Sequence, residues 1–271
     1  MHRARLRRRG PTTITLARNL IFWLSTKKIV TDAIAQRGMK YGFARRFVAG
    51  EALEEAIAAS VELGRAGRRV SLNQLGENVA TIEEARHSRD SYVAALRALD
   101  RAGLDGNISI KLTQLGLDVD PGACLSLALE IAAEAAALGR TIEIDMEGSA
   151  YTDRTIEIFE ASQRQHRNVG LAIQAYLRRT ERDIERLAPL APKVRLVKGA
   201  YREPAALAFQ TKREVDANYR KLLDRLLRPD AGASFFTALG THDPALVDYA
   251  GRKIADRGVP SSRYEFQMLL G

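Results

Sequence analysis

The chain has 271 residues, 46% of them hydrophobic and 28% charged, which suits one large domain with a small extension. Its net charge of +9 is local: residues 1–50 hold twelve Lys and Arg against one acid, Asp32, whereas residues 51–271 hold thirty against thirty-two acids. A nearly neutral body argues against a nucleic-acid groove; one cysteine excludes an internal disulfide, and four histidines without helix-face metal spacing argue against a structural zinc.

The basic leader opens His2-Arg3-Ala4-Arg5-Leu6-Arg7-Arg8-Arg9 and reaches the apolar block Leu20-Ile21-Phe22-Trp23-Leu24. That block is too short to span a bilayer and lacks a small-residue cleavage site. Two readings stand for it: a basic amphipathic segment touching anionic lipid, or a helical arm packed on the main domain. The arm is assigned to 1–49 and the barrel-like body to 50–271. The body then reads as a cytoplasmic domain, with peripheral contact at the inner face of the membrane through the leader.

From Glu51 the periodicity is helical through Leu53, Ala56, Ile57 and Val61, closed by Gly64 and Gly67. Strands are predicted at 70–77, 108–112, 141–147, 169–176, 194–201, 235–242 and 264–270. Helices are predicted at 81–101, 122–138, 152–165, 180–187 and 244–257, with a longer crossover over 204–228. Successive strand ends lie 25 to 41 residues apart, a βαβ period, so the sheet is parallel. Neither a G-x-G-x-x-G after the first strand nor a Walker A sequence is present, which disfavours a Rossmann or P-loop site. Cys124 sits in an apolar run and reads as a buried structural thiol.

Polar residues gather at the predicted strand ends: Glu77, Lys111, Asp145, Gln174, Arg195, Lys198, Thr241, His242 and Gln267. In a (β/α)8 barrel those ends converge on one mouth, where catalysis sits. The segment Val194-Arg195-Leu196-Val197-Lys198-Gly199-Ala200-Tyr201 stands out. A buried strand should not carry two cations unless something pairs with them. The small Gly199-Ala200 pair lets a ligand approach the backbone. These residues fit an anionic cofactor, or else an ion pair at a barrel rim.

The ordered motifs Arg45-Arg46-Phe47-Val48-Ala49-Gly50-Glu51, Leu75-Gly76-Glu77, Ser109-Ile110-Lys111-Leu112, Asp145-Met146-Glu147, Gln174-Ala175-Tyr176, Arg195 to Tyr201, Thr241-His242 and Tyr264-Glu265-Phe266-Gln267 resemble the proline dehydrogenases. That family also forms the first catalytic domain of bacterial proline utilization proteins. The resemblance implies a TIM-type barrel with noncovalent FAD. It also implies oxidation of L-proline to 1-pyrroline-5-carboxylate, by hydride transfer to flavin N5 with a quinone as electron acceptor. By motif position, Asp145 and Arg195 would be the catalytic pair, Lys111 would meet the substrate carboxylate, and Glu77 would lie at the mouth as a gate. Met146, Gln174, Arg195, Val197, Lys198, Gly199, Ala200, Thr241 and His242 would contact the flavin. Asp145 beside Arg195 is expected to stay ionised, since an opposite charge favours the carboxylate.

One departure bears on activity. The family carries an Arg-Arg pair and a Glu on a helix after an eighth strand, and this sequence stops at Gly271, after its seventh. The expectation is therefore a barrel lacking its last strand-helix unit and deficient in proline turnover. Two rival readings are a catalytically deficient barrel serving as a binding or assembly module, and a flavin-free barrel enzyme acting on a phosphorylated substrate.

Overall fold

Most strands of the body alternate apolar residues on one face with small or polar residues on the other. This pattern decides which face packs on helices. The computed structural model describes residues 47–228 and 235–270. The chain divides into two units, Ala52–Leu269 and Met1–Glu51 with Leu270–Gly271. The expected N-terminal helical arm lies outside the described residues. Within them, no helix is long and apolar enough to cross a membrane.

In Ala52–Leu269 the order is α1 (Leu53–Arg65), β1 (Val70–Asn73), α2 (Ile82–Arg101), β2 (Gly106–Ile110), α3 (Pro121–Ala137), β3 (Ile142–Ile144), α4 (Thr152–His166), β4 (Val169–Gln174), α5 (Thr180–Leu187), β5 (Lys193–Val197), α6 (Lys212–Leu226), β6 (Phe236–Gly240), α7 (Pro244–Arg257) and β7 (Tyr264–Gln267). The strands form one parallel sheet in chain order, β1 to β7. The sheet curls as part of a TIM-type barrel. Arg195 of central β5 reaches Ser71 on β1 and Gln267 on β7, and Arg69 beside β1 meets Glu265 of β7 at 3.4 Å.

The outward residues Ile108, Ile110, Ile142, Ile144, Leu171, Val194, Leu196 and Leu239 are buried in one core with the helices. α2 brings Ala85, Tyr92, Leu96 and Leu99 to it at helical spacing. Cys124 of α3 is buried there too, its Sγ 3.5 Å from the Leu112 carbonyl, and burial pushes its thiol up to about 12. Asp120, Thr81, Thr211 and Asp243 cap α3, α2, α6 and α7 through their side chains.

One expectation is corrected and another is made finer. The strands end two to four residues earlier than predicted, because the chain leaves the sheet at its polar rim to form turns. The crossover expected over 204–228 becomes helical only at Lys212. Thr211 and Glu214 form a capping box there, and Ala208 upstream makes a β-bridge to Leu177, so 204–211 is held as a strap rather than a helix.

Candidate active site

The lumen face of the sheet carries the chemistry in two layers. Nearer the rim stand Asn73, Lys111 and Asp145, at or just past the ends of β1, β2 and β3. The Lys111 ammonium donates to Asn73 Oδ1 at 2.8 Å and lies 3.6 Å from Asp145 Oδ2, which also accepts from Asn73 Nδ2 at 2.9 Å. The backbone of Lys111 is fixed from behind, its N–H donating to the buried Tyr92 hydroxyl at 3.1 Å.

Deeper in the lumen lies Arg195, which the sequence placed at a strand end. It is instead the third of the five residues of β5. Its Nη1 donates to Asp145 Oδ1 at 2.8 Å, its Nη2 to Ser109 Oγ at 2.9 Å and to Glu143, and its Nε to Gln267 Oε1 at 2.5 Å. The structure thus joins Lys111, Asp145 and Arg195 in one network.

Burial sets the electrostatics of that network. It lowers the Arg195 guanidinium to about 10 and pushes the Asp145 carboxyl above its usual range, against the Lys111 charge and the Asn73 hydrogen bond. From sequence Asp145 is expected to stay ionised beside Arg195, and the desolvation that raises it is not visible there. Desolvation outweighs the neighbouring cations.

The network opens onto a cavity of about 670 Å³, within the roughly 300–1,000 Å³ of small-molecule sites. Met146, Gln174, Val197, Lys198, Gly199, Ala200, Thr241 and His242 all line it, with Lys111, Asp145 and Arg195. Gln174 ends β4 and donates to the Glu147 carbonyl at 2.9 Å. Lys198 is held between Asp216 and Asp243, each at 2.7 Å. Thr241 Oγ1 accepts the Asp243 N–H at 3.1 Å, and His242 Nε2 accepts from the Leu269 N–H at 2.9 Å.

Gly199 has φ +111°, and a Cβ there would stand 2.1 Å from the Tyr176 ring, so only glycine lets β5 turn out of the sheet against Tyr176. Glu77 is not among the lining residues. It accepts the hydroxyl of Tyr201, which does line the cavity, at 2.8 Å.

Sequence reasoning missed Asn73, Glu143, Asp216 and Asp243 as partners of the site's cations. The alternation itself held a signal for one of them, since Glu143 and Asp145 fall on one face of a strand as Lys193 and Arg195 do on another.

The chain matches the proline dehydrogenase family over residues 56–271. The chain belongs to the proline dehydrogenase family. A Bacillus subtilis subsp. natto protein named proline dehydrogenase 1 is 34% identical over 256 residues, covering 94% of this chain and 83% of the relative. The Deinococcus radiodurans proline dehydrogenase is 36% identical over 245 residues, covering 89% and 77%. The structure of proline utilization A from Bdellovibrio bacteriovorus, inactivated by N-propargylglycine, superposes with a TM-score of 0.78 at 23% identity, a likeness of fold. The match covers 89% of this chain and 30% of that much longer one. As a proline dehydrogenase the chain is an oxidoreductase of proline catabolism, and proline is its substrate.

Proposed function

We propose that the lumen cavity binds FAD noncovalently and that the chain oxidises L-proline to 1-pyrroline-5-carboxylate there. The observation that carries this reading is the buried Lys111–Asp145–Arg195 network on the wall of a cavity whose next segment is Val197-Lys198-Gly199-Ala200.

The residues present fit a flavin. The cavity has the size of a ligand site, its wall includes small residues at Gly199, Ala200 and Gly240, and the cations Arg195 and Lys198 line it too. Met146, Gln174, Arg195, Val197, Lys198, Gly199, Ala200, Thr241 and His242 would hold the cofactor. When bound, FAD would supply the two-electron chemistry, accepting hydride at N5 and passing electrons to a quinone. Arg195 would then stabilise added electron density from a fixed position, because five hydrogen-bond partners hold its guanidinium before any ligand arrives.

Lys111 presents a point charge to the proline carboxylate. Asp145 orients both cations, with Oδ1 on Arg195 and Oδ2 toward Lys111. Glu77, tied to Tyr201 at the mouth, serves as the gate. The barrel domain is assigned to 50–271. The concentrated basic charge of the leader supports peripheral contact with an anionic membrane. Equal vesicle binding by the chain and by a variant lacking residues 1–24 would refute that contact.

The cofactor reading is tested by heat-denaturing the purified chain and recording the released absorbance. The expected result is free flavin in the supernatant. A folded protein that releases none overturns the reading.

A further inference from the structure

Glu143 is fully buried and does not line the cavity, yet it touches both lumen-facing cations of β5. One carboxylate oxygen accepts from the Arg195 guanidinium, and the other lies 3.2 Å from the Lys193 ammonium. β4 runs between β3 and β5, and the contact crosses it because the lumen-facing residue there is Gly170. A Cβ at that position would stand 3.1 Å from Glu143 Cγ and 3.4 Å from Lys193 Cβ. A carboxylate wholly withdrawn from water is costly unless paired. This one is paired with the very guanidinium that Asp145 holds from the cavity side.

We propose that Glu143 is a positioning residue: it fixes Arg195 from behind and, against Lys193, sets the positive potential that the cavity presents to a redox group. This rests on the cofactor reading above. Removing the Glu143 charge leaves Lys193 and Arg195 less compensated, which favours an electron-rich cofactor. Removing the Lys193 charge does the reverse. A residue that merely filled space would not give opposite signs.

The test is a spectroelectrochemical titration of the flavin-loaded chain and three variants. Glu143→Gln is expected to shift the flavin midpoint potential upward and Lys193→Met downward, with the double variant returning toward wild type. Shifts of one sign, unmoved potentials, or a double variant no nearer the wild-type potential than either single variant would overturn the proposal. Should Glu143→Gln fail to fold, Lys193→Met decides alone: an unmoved or raised potential there overturns it. A wild-type chain that takes up no flavin overturns the cofactor reading and this role with it. A flavin-loaded wild type with unmoved variants overturns only the role of Glu143.

Discussion

Arg195 and Lys198 come from one segment, and each is gripped by two carboxylates, Glu143 and Asp145 in the lumen and Asp216 and Asp243 at the rim. Their electrostatics run in opposite directions. In the lumen, burial lowers Arg195 and raises Asp145. At the rim, hydrogen bonds from Lys198 and Lys212 hold Asp243 far below its usual range. Burial works to raise Asp216, and the same two lysines together outweigh it. The side chains of the rim pair also have a second cation in water's reach, since Lys212 is 70% exposed. A cation between two carboxylates therefore makes a desolvated, preorganised site in one place and a water-screened clamp in the other.

Breaking the lumen cluster should cost most. Arg195→Met leaves Glu143 buried with Lys193 and the Gln267 amide. Removing one partner of a buried pair costs about 3–5 kcal/mol of stability, and losing a preorganised donor costs on the order of 10²–10³ in turnover. Denaturant melts and proline assays check both, and near wild-type values in each would remove Arg195 from its assigned place. Gly199→Ala tests the joint between the clusters. Its left-handed backbone should cost roughly 1–3 kcal/mol, and its Cβ must displace Tyr176. The expected result is a lower melting temperature with loss of flavin.

Next comes a comparison by pH. A raised folded-state pKa, as for Asp145, gives stability that is present below the unfolded pKa of about 3.9 and is lost as pH rises through the folded value. Asp145→Asn should therefore gain on wild type as pH rises above about 4. A depressed pKa, as for Asp243, gives stability present above the unfolded value and lost as pH falls through the folded one. The deficit of Asp243→Asn should thus shrink as pH drops below about 4. Urea titrations across that range measure both slopes, and slopes of one sign would break the contrast. The smallest effect belongs to Lys198→Met. Lys212 still bridges both aspartates there, so the stability cost should be only about 0–1 kcal/mol, as for exposed pairs. A loss comparable to that of Arg195→Met would contradict the comparison.

Much of this architecture was legible because it rests on periodicities. Val194, Leu196 and Arg195 announce one buried face and one charged face, and the strand-helix spacing gives the parallel barrel order. The convergence of Lys111, Asp145 and Arg195 follows once the strands are placed. Glu143 was harder. Its alternation with Asp145 marks the charged face, but its partners sit two strands away across a glycine, a contact that spacing along one strand does not report. For Asp145 the charged neighbours are visible in sequence and the desolvation is not. The late start of α6 shows a further limit: Thr211 and Glu214 spell a capping box, but the strap before it is fixed by Leu177, some thirty residues upstream.

The central claim is that the lumen network and the flavin act on proline in one cavity. Its most direct test is anaerobic addition of L-proline to the flavin-loaded chain while the flavin absorbance is recorded. The account predicts bleaching in wild type and little or none in Arg195→Met. A chain that carries flavin whose spectrum L-proline leaves unchanged would contradict it.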